Sequence, residues 1–423
     1  MEIFMKKVLA RIKVFVLIAF IWIYSGSLFY MSANLALQIC IIPIFLILLY
    51  FVDKRRGLRM FIKIRDKNCI LFLYLYALSM IVNFVVASSI TQFALYFLFE
   101  LFIMVCAYFI AITNNYREFI NTYIDVITVV AITSIICWFL PDFIKNIAFM
   151  HYTRGNWTFA SILFYNLNLS VQARNCGPFW EPGMFQAFLN FALLMMVFSE
   201  KRKGNIVRAC ILVFAVITTF SSTGYFLLVC MTIMKLLQTD MNAKRIAAIA
   251  VITIGGVILI SNLSMLLFYI DQYTLYSVSA KFLNGGNVSV TTRLYSGLCD
   301  LRVAITHPFG ANRAALDTIR QQYALDYGAV SASTSTLTAI FTYFGWSIGI
   351  MYLYLWIKGC CRIQTNLLNR ILLIVFMVVI LMSELHIDLL FFNIILFFWN
   401  SRYNTKEVYE MRELITKRIS CIE

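Results

Sequence analysis

The stretch RNCGPFWEPGMFQAFLNFALLMMVFS, residues 174–199, decides how the rest of the chain is read. Its last seventeen residues carry no charge, and a run of that length is at the short end of what crosses a bilayer as a helix. Just before them stand Arg174, Gly177, Pro178, Glu181 and Pro182. Pro182 suits the first turn of a helix, where its missing N–H is no loss. Glu181 then lies at the helix N-terminus, the end that stabilises anions. Gln186 and Asn190 are four residues apart and extend a polar strip down one face. Polar side chains within a membrane usually face other helices or a water-filled cavity. The stretch therefore reads as the lip and upper wall of a hydrated cavity. Arg174 is close enough in sequence to pair with Glu181, which is the plain structural alternative.

Working outward, similar apolar runs recur along the chain. It is 62% hydrophobic and 13% charged, against about 25% charged residues in an ordinary soluble domain. Run length places spans at residues 12–30, 33–52, 69–88, 91–112, 118–140, 178–199, 206–221, 223–238, 246–269, 333–357, 369–384 and 387–400. The first run follows Lys6, Lys7, Arg11 and Lys13, but YSGSLFYMSANLALQ offers no cleavage site, so it is read as a retained span. The expectation is an all-α polytopic membrane protein of about twelve transmembrane helices. It would form a single integral membrane domain over residues 1–423.

Basic residues set the orientation, because cytoplasmic loops retain them. With the N-terminus inside, 27 of the 35 Lys and Arg fall on cytoplasmic segments, led by DKRRGLRMFIKIRDK and SEKRKGN. Both termini, including the basic tail 401–423, are then cytoplasmic, and two large loops, 141–177 and 270–332, face outward. The net charge of +15 is mostly topological and is no argument for nucleic acid. The cytoplasmic loops are too short for a soluble catalytic domain and hold no Gly-rich phosphate loop.

The outer loops carry the chemistry. Loop 270–332 holds four arginines on the side where basic residues are disfavoured. Arginine grips phosphate through a planar fork and keeps its charge at any relevant pH. Arg293 and Arg313, which flank His307, are read as phosphate contacts; Arg302 and Arg320 are read as snorkelling at the interface. His307 opens HPFG, where Pro ends a helix and Gly permits a tight turn. It is a general-base candidate, with a helix-end structural role standing against that. Glu100, within the fourth span, either lines the cavity or makes an interhelical hydrogen bond. His386, in SELHIDLL, reads as part of a polar turn with Glu384 and Asp388. Cys176 and Cys299 lie in the two outer loops; a disulfide is one reading and two free thiols the preferred one. No C-x-x-C, no H-E-x-x-H and no other metal-ligand spacing is present.

Taken in order, these segments resemble a family. ARNCGPFWEPGMFQAFLNFAL is similar to the R-x-x-G-x-x-x-E-P pattern of the O-antigen and capsular polysaccharide polymerases and the O-antigen ligases. TFSSTGYFLL resembles their Ser/Thr-bearing turn between two later spans. TTRLYSGLCDLRVAITHPFGAN resembles their Arg, helix and H-P-x-G segment, with Asn312 in place of a second Gly, and STSTLTAIFTYFGWSIGI resembles the span that follows. The resemblance covers residues 150–360. It implies a membrane glycosyltransferase architecture of the GT-C-like kind in the bacterial inner membrane, working without cofactor or metal.

The substrate it implies is an undecaprenyl-pyrophosphate-linked oligosaccharide, polymerised on the outer face, with a chain-length regulator protein as a partner the family allows. Arg174, Arg293 and Arg313 would bind pyrophosphate, and His307 or Glu181 would take the acceptor proton. Gln186, Asn190 and Glu100 would line the cavity. Two other functions stand beside this one: a ligase that hands the glycan to a lipid A core, and a flippase, which commonly shows inverted repeats that are not evident here.

Overall fold

In the computed structural model, residues 18, 25, 67–86, 90–154, 157–162, 165–169, 174–198, 204–237, 286–311, 316–327, 333–364 and 366–401 are described. The expected spans 12–30, 33–52 and 246–269 and most of the basic tail lie outside these residues, as does Arg313. The protein is mostly helical, with twelve helices and one small sheet among the described residues. Nine expected spans coincide with helices, shifted at their ends by a few residues. Two helices, Tyr116–Phe139 and Thr336–Ile363, are long and apolar enough to cross a membrane.

The chain divides into two compact units, residues 1–32 with 120–294 and residues 33–119 with 295–423. The second contains α1 (Lys67–Val86) and α2 (Ile90–Thr113). The helix α3 (Tyr116–Phe139) begins at the edge of that unit and runs into the first.

The first unit continues with α4 (Pro141–Ile147), β1 (Met150–Arg154), β2 (Trp157–Ile162) and β3 (Tyr165–Asn168). Then come α5 (Pro182–Phe198), α6 (Asn205–Thr218) and α7 (Ser222–Leu237). The expected outer loop 141–177 is thus partly regular structure. Its three strands form an antiparallel meander in which Arg154 pairs with Trp157 and Phe159 with Asn168. Tyr, Thr, Trp and Phe favour strands, and Gly155-Asn156 between the first two strands is a hairpin signal. A search by apolar run length is blind to both. Ile144 of α4 packs with Ala160, Tyr165 and Leu167 beneath the sheet.

At the heart of this unit is α5. Every residue from Pro182 to Met195 is buried, and a helix apolar all round belongs inside a packed body. Tyr123 of α3 donates to the Phe188 carbonyl at 2.7 Å, while α6 and α7 pack along its length. The helix starts at Pro182 and not at 178, because residues 178–181 form the turn that leads into it.

The second unit contains α9 (Leu316–Tyr327), α10 (Thr336–Ile363), α11 (Leu367–Ser383) and α12 (Leu390–Asn400), together with most of α8 (Gly286–Thr306). Here α12 is the interior helix, buried over its whole length and packed on α2 and α10. Asn366 caps α11 by accepting from the Leu368 N–H. The long helix α10 is broken: Gly345 has φ 82° and ψ 177° within it.

Candidate functional site

In the first unit, the segment around Arg174 is built against the turn between α6 and α7. The half-buried Arg174 donates from Nε to the Thr219 carbonyl at 3.2 Å and from Nη2 to the Phe220 carbonyl at 3.3 Å. Helices leave their last carbonyls without intrahelical partners, and a cation there also complements the helix dipole. Asn175 completes the joint. Its Nδ2 donates to Thr218 Oγ1 at 2.9 Å and to Ser134 Oγ at 3.2 Å, and its Oδ1 accepts from the Gly177 N–H at 2.9 Å. The two sequence segments that resemble family motifs, 173–193 and 219–228, are therefore hydrogen-bonded to each other.

The segment that follows Arg174 is buttressed by β3. Asn166 donates its backbone N–H to the Gly177 carbonyl at 2.7 Å and its Nδ2 to the Pro178 carbonyl at 2.6 Å. Phe179 stacks on Phe188 with centroids 4.6 Å apart. The buried Cys176 thiol is pushed up to about 12, chiefly by burial; Arg174 pulls it down in part and Glu181 pushes it further. Glu181 is half-buried at the start of α5, and its carbonyl accepts the Phe185 N–H.

Gln186 and Asn190 do form one strip. Asn190 Nδ2 donates to Gln186 Oε1 at 2.9 Å and to the Gly224 carbonyl of α7 at 3.4 Å. Both side chains are fully buried, and Gln186 Nε2 and Asn190 Oδ1 have no hydrogen-bond partner among the described residues. The second and third turns of α5 consequently lie against the first turn of α7. The α7 N-terminus begins two residues beyond Phe220, whose carbonyl Arg174 holds, and a helix N-terminus with a guanidinium is a setting suited to an anion.

The second unit holds His307 and Glu100. His307 follows the last turn of α8, with its backbone N–H on the Val303 carbonyl. Its Nδ1 lies 3.0 Å from Thr306 Oγ1 and 3.3 Å from the Val303 carbonyl. Both groups can accept, so they favour the proton on Nδ1 and leave the lone pair on Nε2, as a general base needs. Glu100 is buried in α2. Arg293 lies on α8, and its side chain is outside the described residues.

The HPFG turn closes with the Gly310 N–H on the His307 carbonyl and docks into the break of α10. The Ala311 N–H donates to the Thr342 carbonyl, and the Trp346 N–H to that of Pro308. The carbonyls freed by the break must be paired, and α1 supplies the donors. Ser79 Oγ reaches the Phe344 carbonyl at 2.7 Å; Asn83 Nδ2 reaches those of Phe309 and Tyr343 at 3.3 and 3.5 Å.

Ser79 and Asn83 are absent from the candidates read off the sequence, although a polar pair four residues apart in an apolar run is the signal that singled out Gln186 and Asn190. Arg320 is a correction. Expected to snorkel, it is buried at 1% exposure and ion-paired with Asp300, which also accepts from Ser333 and Thr338. Burial forces the pairing, since an isolated charge in the interior is costly. Arg302 is exposed, 5.5 Å from the Tyr323 ring centre.

His386 is a buried turn residue, its N–H on Thr336 Oγ1 and its ring 4.3 Å from that of Phe392. Cys176 and Cys299 are both buried, free thiols. Among the described residues, no three His, Cys, Asp or Glu side chains are grouped to hold a metal ion. A scan of the chain against protein-family models and a search of curated proteins both give no match.

Proposed function

We propose that this chain is a multi-pass membrane glycosyltransferase that joins polyprenyl-pyrophosphate-linked oligosaccharide units on the outer face of a bacterial inner membrane. The observation that carries the reading is Arg174, held by two carbonyls where the R-x-x-G-x-x-x-E-P segment meets the Ser/Thr turn. Its contacts to Thr219 and Phe220 fix the orientation of the guanidinium plane. An arginine so pinned is pre-organised for a pyrophosphate, and the α7 N-terminus, two residues beyond Phe220, adds to its field.

In the reaction, the bond between the anomeric carbon and the pyrophosphate oxygen of the donor breaks. A bond from that carbon to an acceptor hydroxyl oxygen forms, and polyprenyl pyrophosphate leaves. The hydroxyl proton passes to His307 Nε2 or to the Glu181 carboxylate. The leaving group is already activated, so neutralising its charge and orienting the acceptor supply most of the catalysis. Arg293 and Arg313 are the further pyrophosphate contacts in this reading, and the greasy body of the protein accommodates the polyprenyl tail.

The test uses membranes containing the full chain, supplied with lipid-linked repeat units, with polymer length read on gels. Arg174→Lys should abolish polymer, because a point charge does not replace a two-pronged fork. His307→Ala and Glu181→Gln, each checked for protein level, assign the proton acceptor. Normal polymer from all three variants would refute the proposal. Product only in the presence of a lipid A core would make the protein a ligase. Movement of the lipid-linked unit across the bilayer without bond formation would make it a flippase.

A further inference from the structure

The sheet-bearing segment after α3 carries an apolar surface that the proposed chemistry does not use. On α3, Val129, Ile132, Ile136 and Phe139 are exposed at steps of three and four residues, forming one stripe. The stripe does not stop where the helix does. Beyond Leu140, exposed and non-helical between the two helices, the exposed Phe143 and Ile147 lie four apart on one face of α4, and Phe149 follows at the start of the sheet segment. Phe139, Phe143 and Phe149 are 61%, 56% and 70% exposed, which is extreme for phenylalanine beside a well-packed cluster.

The other positions of α4 are different. Ile144 is buried beneath the sheet, while Asp142, Lys145 and Asn146 are exposed, and Lys145 falls opposite Phe143 and Ile147. So α4 has one side in the protein, an adjoining apolar side, and a charged side. That is the cross-section of a helix lying at a lipid boundary. With 24 residues, α3 is about 36 Å long, slightly more than the ~30 Å hydrocarbon core, so its last turn reaches that boundary.

From this continuity we propose that α4 and Phe149 lie in the headgroup region of the bilayer that α3 crosses, with lipid as the occupant of the apolar face. The proposal rests on the membrane reading above and adds a position to it. The sheet sits directly on α4 through Ile144, and Asn166 of β3 holds the Gly177–Phe179 turn. The lipid-anchored segment thereby sets the depth of the Arg174 loop, which is the level at which the phosphates of a lipid-linked substrate lie.

The experiment places a nitroxide at single cysteines of the full chain in vesicles of phosphatidylethanolamine and phosphatidylglycerol. The native cysteines are replaced in a background that keeps the parent melting temperature. Collision rates with oxygen, which partitions into lipid, and with a water-soluble nickel chelate are compared. Phe143→Cys and Phe149→Cys should show several-fold higher oxygen-to-nickel ratios than Lys145→Cys. Ratios at both positions matching Lys145→Cys would overturn the proposal. Ile132→Cys separates the two levels: oxygen preference there with water-like values at 143 and 149 defeats the proposal alone, whereas water-like values at all three defeat the membrane reading with it.

Discussion

Gly310 and Gly345 press their backbones together, each against the segment that carries the other. A Cβ on Gly310 would lie 2.6 Å from the Tyr343 carbonyl oxygen, and one on Gly345 would lie 2.5 Å from that of Pro308. Both glycines have positive φ, 96° and 82°, which a side chain would strain. The contact is how the HPFG turn is seated in the break of α10, and with it the ring of His307.

Gly310→Ala and Gly345→Ala should each destabilise the protein by at least the ~1–3 kcal/mol of a strained backbone position, with the overlap added. Thermal unfolding in detergent should show a clear drop for both. Gly297→Ala is the comparison: a Cβ there meets only Thr338 Cγ2 at 3.7 Å, ordinary contact, so its melting temperature should hold or rise. Equal behaviour of the three variants would contradict the seating described.

Asn83→Ala removes the donor to the Phe309 and Tyr343 carbonyls. An unsatisfied buried carbonyl costs about 1–3 kcal/mol. Because Ser79 serves the same break, Ser79→Ala and Asn83→Ala should be non-additive in a double-mutant cycle of unfolding free energies. Strict additivity would mean that the two side chains act separately.

Removing one partner of the Asp300–Arg320 pair strands a buried charge. Asp300→Asn or Arg320→Met should cost about 3–5 kcal/mol, whereas Asp300→Leu combined with Arg320→Met should recover much of that loss. Melting curves of the three variants decide it. A combined variant as unstable as the sum of the single changes would show that the pair does not act as a unit.

Cys176 has a thiol pushed up to about 12 from an ordinary 9.0. The folded state therefore binds the proton more tightly than the unfolded state. The resulting stability is complete below about pH 9 and is lost as pH rises from there toward about 12. N-Ethylmaleimide at pH 9 should leave Cys176 unmodified in the native protein and label it after denaturation, with peptide mass as the readout. Rapid native labelling would place the thiol at the surface.

The helical body was legible because apolar run length is a one-dimensional property. The runs at 69–88, 118–140 and 333–357 each meet a helix, and Pro182 marks the start of α5. The meander in 141–177 escaped that reading, although Gly155-Asn156 and the aromatic and β-branched residues around it were visible. Arg320 shows the opposite difficulty. Its partner Asp300 is twenty residues away on another helix, and only folding brings the two side chains together in a place without water.

The sequence alone determined that the chain is helical, greasy and asymmetrically charged, and it marked Arg174, Glu181 and His307 by the company they keep. Those properties reside in local composition and spacing, which need no partner in space. Tertiary structure decided what each marked group touches: Arg174 on the carbonyls that end α6, the HPFG turn in a gap of α10, and Asn83 reaching in from α1. A backbone carbonyl left open by a helix end or a break carries no signature in the residue that bears it. Its demand for a donor is met from residues tens to hundreds of positions away, so only the packed chain reveals which side chain answers.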